Sequence, residues 1–308
     1  MIMNQKLRDL GLSFSISVAV ITCFGIAKQY NASRIHQNRV AVVKHKKTIQ
    51  KRTHKKSTET KEKQAVQPKL TGEQVQEKLT TAWHNIDTSS TPNIQISIYD
   101  HKRNTNYNYV VGANDNYPTA SIIKVFILAR KLQDGDLSDD EKDLATKMIE
   151  DSDNDATTEL ATTFGGIYQF QPLFDKLQMT NSHANQTWGL TDTTATDQIK
   201  LLNDIFYNHA VLNPNQSNYI SQLMENIENG QDWGVSTGVP DSAGIELKNG
   251  WLPLDDNDGD AIVNSIGHIS SSTTDYTIAV LTHGDTNEQK GIETVNNLSQ
   301  VVYDILSK

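Results

Sequence analysis

Ser121 and Lys124 stand three residues apart in the run Ser121-Ile122-Ile123-Lys124, and on a helix that spacing turns both side chains to one face within reach of each other. A serine hydroxyl becomes a nucleophile when a neighbouring base takes its proton, and a lysine can serve once burial or a second cation lowers its proton affinity. Backbone N–H groups at a helix start are also free to hold a developing oxyanion, each such donor being worth roughly 3 kcal/mol of barrier. A serine and a lysine at this spacing arise by chance about once in a chain of this size, so the setting decides. Here Ile122, Ile123, Val125, Phe126, Ile127 and Leu128 leave no polar face. The helix expected over 121–132 is therefore central and buried, and a lysine in its first turn is costly unless something pairs with it.

Two further polar clusters follow in the chain, Ser152-Asp153-Asn154 and Lys248-Asn249-Gly250. Standing alone, the first would be an ordinary helix N-cap, and the second lies in a segment with strand character. The nine histidines show no metal-ligand spacing. His183 is the one to watch, as the only titratable group of a stretch, 179–191, that holds no Asp or Glu. The run 255–260 superficially resembles a calcium loop but lacks its acid pattern and closing Glu, and reads as a polar hairpin turn.

The elements that must position these residues can be read from periodicity. Thr71 opens a helix running to about His84. Asn93 to Tyr99 alternates as Ile94, Ile96, Ile98, and Asn104 turns it into a second strand ending near Val111. After the buried helix, helical patterns cover 139–150, 156–164, 169–177, 194–207 and 219–228. Strands return at 245–251, 261–269 and 276–282, and a last helix, 290–306, lines up Ile292, Val295, Leu298, Val302 and Ile305. Strands at both ends with helices between predict an α/β (α+β) domain. Its antiparallel sheet is flanked by N- and C-terminal helices, beside an all-helical lobe, with a cleft between lobe and sheet.

In this order and these settings, the three clusters resemble the signature S-x-x-K, S-D-N and K-T-G of the class A β-lactamases and penicillin-binding DD-peptidases. The likeness covers residues 70–308, with further echoes at Gly165-Gly166, Asp192-Thr193-Thr194 and Gly238-Val239-Pro240. The resemblance implies acyl transfer without a metal or other cofactor. Ser121 would attack a carbonyl, Lys124 would take its proton, and Ser152 would relay a proton to the leaving nitrogen. Asn154, Lys248, Asn249 and Gly250 would bind substrate, Lys248 drawing in its carboxylate. Backbone N–H groups of Ser121 and Trp251 would form the oxyanion hole. Lys248 as a second cation would also help keep Lys124 neutral. Two departures bear on substrate: Asn249 replaces the usual hydroxyl residue, and Trp251 is bulkier than its counterpart. The family's β-lactamases carry a loop glutamate that activates water. Its absence from 179–191 implies slow release of the acyl group.

The rest of the chain concerns delivery. Leu10 to Ala27 is a mostly apolar run of roughly 18 residues after Lys6 and Arg8, the length of a membrane anchor or signal segment (1–27). Cys23 is the only cysteine, so no intrachain disulfide exists. Residues 28–69 hold roughly 13 Lys/Arg against two acids, the composition of a disordered, self-repelling linker. Of the 28 basic and 37 acidic residues of the chain, about 13 and 34 remain in 70–308, a balance near −21. Such a surface argues against nucleic acid as partner, while the basic linker could touch anionic lipid or wall polymer. The expected setting is the cell membrane with the catalytic domain extracytoplasmic, although the basic excess after the apolar run opposes the positive-inside rule. The expected partner is a β-lactam or a peptidoglycan stem peptide. A penicillin-binding protein acylated without turnover and a non-catalytic binding module are the alternatives.

Overall fold

Thr71 accepts a hydrogen bond from the Gln74 amide while the Gln74 side chain accepts from Thr71 N–H, a reciprocal cap that starts α1 (Gly72–His84). The computed structural model describes residues 70–114, 116–253 and 260–308. The chain divides into the units Met1–Ala65 and Val66–Lys308. The expected membrane segment 1–27, the linker 28–69 and nearly all of the polar turn 255–260 lie outside the described residues. Among those described, no helix is long and apolar enough to cross a membrane.

Asn104, in the left-handed region at φ 49°, turns β1 (Asn93–Asp100) into β2 (Thr105–Val111). The chain then leaves the sheet through β3 (Tyr117–Pro118) and a 3-10 turn, Ala120–Ile122, into α2 (Ile123–Leu132). Four helices and a short strand build the lobe: α3 (Asp139–Ile149), α4 (Asn154–Thr163), α5 (Gln171–Lys176), β4 (Asp192–Thr193) and α6 (Ala195–Asn203). A π-helical turn, Asp204–Asn208, ends α6 and leads to α7 (Pro214–Glu225). The sheet resumes with β5 (Gly244–Pro253), β6 (Ala261–Ser270) and β7 (Asp275–His283), and α8 (Glu288–Leu306) closes the domain.

The sheet is antiparallel throughout, in the order β2-β1-β7-β6-β5. Its central strands are buried on both faces, because a core lies against each. On one face Val75, Leu79 and Trp83 of α1 meet Val295, Leu298 and Val302 of α8 over Ile96, Ile278 and Val263. The Trp83 indole N–H donates to the Leu298 carbonyl at 3.0 Å and joins the two terminal helices. On the other face α2 packs against the lobe and the sheet residues Ile266, Ala279 and Leu281. There Phe126 stacks on Phe174 at 4.3 Å and meets Phe170 edge-on at 5.2 Å. The α+β architecture expected from the sequence is thus the one observed. It departs in detail where periodicity is weakest: α7 begins at Pro214 rather than near Tyr219, because the Asn213–Gln216 capping box and Pro214 start it inside a polar stretch. The two-residue strands β3 and β4, paired Tyr117 to Thr193 and Pro118 to Asp192, are too short to leave a periodic signal.

Candidate active site

The nucleophile candidate sits at a backbone discontinuity. Ala120 adopts φ 48°, a left-handed conformation that costs a non-glycine residue about 1–2 kcal/mol. The strained step delivers Ser121 to the 3-10 turn ahead of α2. The segment before it is braced on two sides. Asn264 Nδ2 on β6 donates to the carbonyls of Pro118 and Thr119 at 2.8 and 3.2 Å, and Thr119 N–H donates to the Thr191 carbonyl at 2.9 Å. Gly250 on β5 closes the third side. A methyl group there would stand 2.5 Å from the Ser121 nitrogen and 2.7 Å from that of Ile122, so only glycine lets strand and turn approach this closely. As β5 is an edge strand, it also carries backbone groups that no neighbouring strand takes up.

Lys124, in the first turn of α2, is fully buried. Its Nζ donates to the Ser152 carbonyl at 2.6 Å, to Ser152 Oγ at 3.0 Å and to Asn154 Oδ1 at 2.8 Å. Ser152 is itself left-handed, φ 58°, which aims carbonyl and hydroxyl at the same amine, while Asp153 caps α4 through the Ala156 N–H at 2.7 Å. Burial, then the nearby Lys248 charge, lowers the Lys124 pKa to about 6, against an opposing pull from Asp153. Lys248, also fully buried, is lowered to about 7 by burial alone. Near pH 7 Lys124 is therefore mostly neutral, the state in which a lysine accepts a proton, while Lys248 keeps part of its charge.

Of the residues expected from sequence, the structure brings Lys124, Ser152 and Asn154 into direct contact, sets Lys248 close enough to act on Lys124, and packs Gly250 against Ser121. Trp251 follows Gly250 on the same edge, its ring tilted against Trp233 at 5.9 Å between centroids. Asn249 is the exception and corrects the expectation that it lines the substrate site. Strand alternation turns it to the opposite face from Lys248 and Gly250, where Nδ2 donates to the Gln231 and Trp233 carbonyls at 2.7 and 2.9 Å. His183 exchanges backbone hydrogen bonds with Asp192, 3.0 Å each, and its side chain is exposed. Two neighbours of the site escaped the sequence reading: Asn264, and Trp188, whose ring centroid lies 5.3 Å from Lys124 Nζ. The available signal for Trp188 was its being the sole aromatic residue of 179–191.

The model of the Beta-lactamase enzyme family matches residues 140–306, more than half of the chain. The chain belongs to the beta-lactamase family. That match takes in Ser152, Asn154 and Lys248 and begins beyond Ser121 and Lys124, but the fold likeness spans the domain. A class A beta-lactamase from Bacteroides cellulosilyticus superposes with a TM-score of 0.65 at 15% identity, covering 76% of this chain and 98% of that one. A beta-lactamase from Xanthomonas campestris gives 0.64 at 17%, covering 75% and 98%. A mutant of the penicillin-binding protein PBP-A, solved as an acyl-enzyme complex with penicillin G, gives 0.61 at 19%, covering 78% and 98%. No curated protein matches the sequence. This beta-lactamase family member thus shares the family fold at identities below one residue in five.

Proposed function

We propose that this beta-lactamase family member is a serine hydrolase that forms an acyl-enzyme with β-lactams or with the D-alanyl peptides of the cell wall, and that it releases the acyl group slowly. The observation that carries the reading is a fully buried lysine with its pKa near 6, one turn after Ser121 and hydrogen-bonded to Ser152 and Asn154.

In this mechanism Lys124 takes the Ser121 proton as Oγ attacks the amide carbonyl, and the oxyanion draws on the N–H groups of Ser121 and Trp251. The carbon–nitrogen bond then breaks, with the proton passed from Lys124 through Ser152 to the leaving nitrogen; the 3.0 Å contact between the two supports that route. Asn154 orients the substrate amide and Lys248 attracts its carboxylate. Slow release is supported by the lack of any Asp or Glu in 179–191. The extracytoplasmic setting, the anchor at 1–27 and contact of 28–69 with anionic lipid or wall polymer rest on composition and belong to the same proposal.

Labelling with a fluorescent penicillin tests the reading. The wild-type chain is expected to take up covalent label that survives denaturation, and Ser121→Ala none. An unlabelled wild type would favour a non-catalytic binding module instead.

A further inference from the structure

Beside the acceptors that Ser152 and Asn154 offer Lys124, the Trp188 ring lies with its centroid 5.3 Å from the amine. Its indole N–H donates to Thr158 Oγ1 on α4 at 3.3 Å. The residues after it are tied to the nucleophile segment: Thr119 Oγ1 donates to the Gly189 carbonyl at 3.5 Å, and Thr119 N–H to that of Thr191 at 2.9 Å. The ring is thus held from two elements, not laid loosely over the amine. The same ring helps to wall a cavity of about 200 Å³ together with Ala161, Thr162, Ile167 and Tyr168, with no carboxylate or amine in its lining.

Hydrolysis of an acyl-Ser121 ester adds water across the bond, the hydroxyl going to the acyl carbon and the proton returning to Ser121 Oγ. The attacking water must sit beside a base that takes its proton during the attack. An indole offers a donor and no acceptor, so where Trp188 stands, water finds neither space nor a base.

We infer that Trp188 is a positioning residue that excludes water from the surroundings of Lys124 and thereby makes the acyl-enzyme on Ser121 long-lived. The inference rests on the acylation proposed above and adds the residue that determines its persistence.

Full-length wild type, Trp188→Phe, Trp188→Leu and Trp188→Ala are labelled with a fluorescent penicillin and chased with excess unlabelled penicillin. Loss of label is followed over time, the labelling rate is measured from pH 5 to 8, and folding is checked by thermal melting. Wild type and the phenyl variant are expected to keep their label and to share one pH profile. The Leu and Ala variants are expected to shed label at least tenfold faster. Their acid limb should move to higher pH as water reaches the ammonium, a change that a purely structural role would not produce. Trp188→Leu retains apolar packing and carries the test if Trp188→Ala does not fold. Label that decays at the wild-type rate in folded Leu or Ala variants overturns the inference and leaves acylation standing, as does a Leu or Ala variant that never labels. A wild type that never labels overturns both.

Discussion

Three acceptors surround the Lys124 amine, and each would favour its charged form, yet burial and the Lys248 charge prevail and bring its pKa to about 6. The competition has a kinetic sign. Below that value Lys124 holds its proton and cannot take one from Ser121; above it the amine is free. The rate of covalent labelling is therefore expected to climb with pH through a midpoint near 6 and to fall again above about pH 7, where Lys248 loses the charge that attracts the substrate carboxylate. A rate independent of pH between 5 and 7 would mean that some other group is the base. Lys124→Arg keeps a cation at the position but cannot deprotonate, and it is expected to slow labelling by about 10²–10⁴-fold, the usual worth of general-base catalysis. Ser121, Lys124, Ser152, Asn154 and Lys248 were all legible in the sequence, because each is carried by a spaced motif. Asn249 was misread although the period of a strand already decides it: if Lys248 and Gly250 face the turn of Ser121, the residue between them faces away. Trp188 and Asn264 were not legible, since one opens a three-residue 3-10 turn too short to leave a periodic signal and the other acts on a segment distant in the chain.

At the scale of elements, the lobe is pinned to the sheet by a partly buried polar cluster that no motif announces. His268 on β6 lies between two carboxylates, Nδ1 to Glu246 of β5 at 2.9 Å and Nε2 to Asp275 of β7 at 2.9 Å. Ser221 of α7 donates to Glu246 at 3.3 Å, Tyr207 of the π-helical turn donates to Asp275 at 2.7 Å, and Phe206 stacks on the imidazole at 4.2 Å. Burial alone would lower the His268 pKa, but the hydrogen bonds and charges of Asp275 and Glu246 outweigh it and raise the value above 6.5. A raised folded pKa means that the proton's contribution to stability is complete below about pH 6.5 and is lost as pH rises through the folded value. The neutral ring can donate to only one carboxylate and turns a lone pair to the other. Thermal melts in steps from pH 6 to 9 should accordingly show the wild type losing roughly 1–3 kcal/mol that His268→Gln does not lose; parallel curves for the two would remove His268 from the account. The helices and strands that carry this cluster were largely foreseen, since their apolar spacing is clean. The cluster itself was not, because its members are scattered from 207 to 275 and meet only through the register of β5, β6 and β7.

For the whole molecule, the decisive feature is that one sheet serves two cores. Val263 and Ile266, three residues apart on β6, belong to opposite ones: the first lies with α1 and α8, the second with α2 and the lobe that carries Lys124 and Ser152. With β6 and β7 buried on both faces, neither core can open without exposing strands the other needs, so stability is shared while chemistry is confined to one side. Leu298, fully buried in α8, separates the two properties. Cutting it to alanine removes apolar contact and leaves a cavity, at a cost of about 3 kcal/mol. For a domain of this size that lowers Tm by about 6–12 °C. The face bearing Ser121 keeps its braces through Asn264 and Gly250, so labelling of Leu298→Ala at 25 °C should stay within about twofold of wild type while it remains folded. Phe126→Ala in α2 should cost at least as much stability, since its ring packs on Phe170 and Phe174 directly behind the nucleophile's helix. It should slow labelling as well, because misplacement by about 1 Å can cost about 10²-fold. Paired melting and labelling rates for the two variants decide it: equal losses of labelling from both would mean that the two faces of the sheet do not act separately.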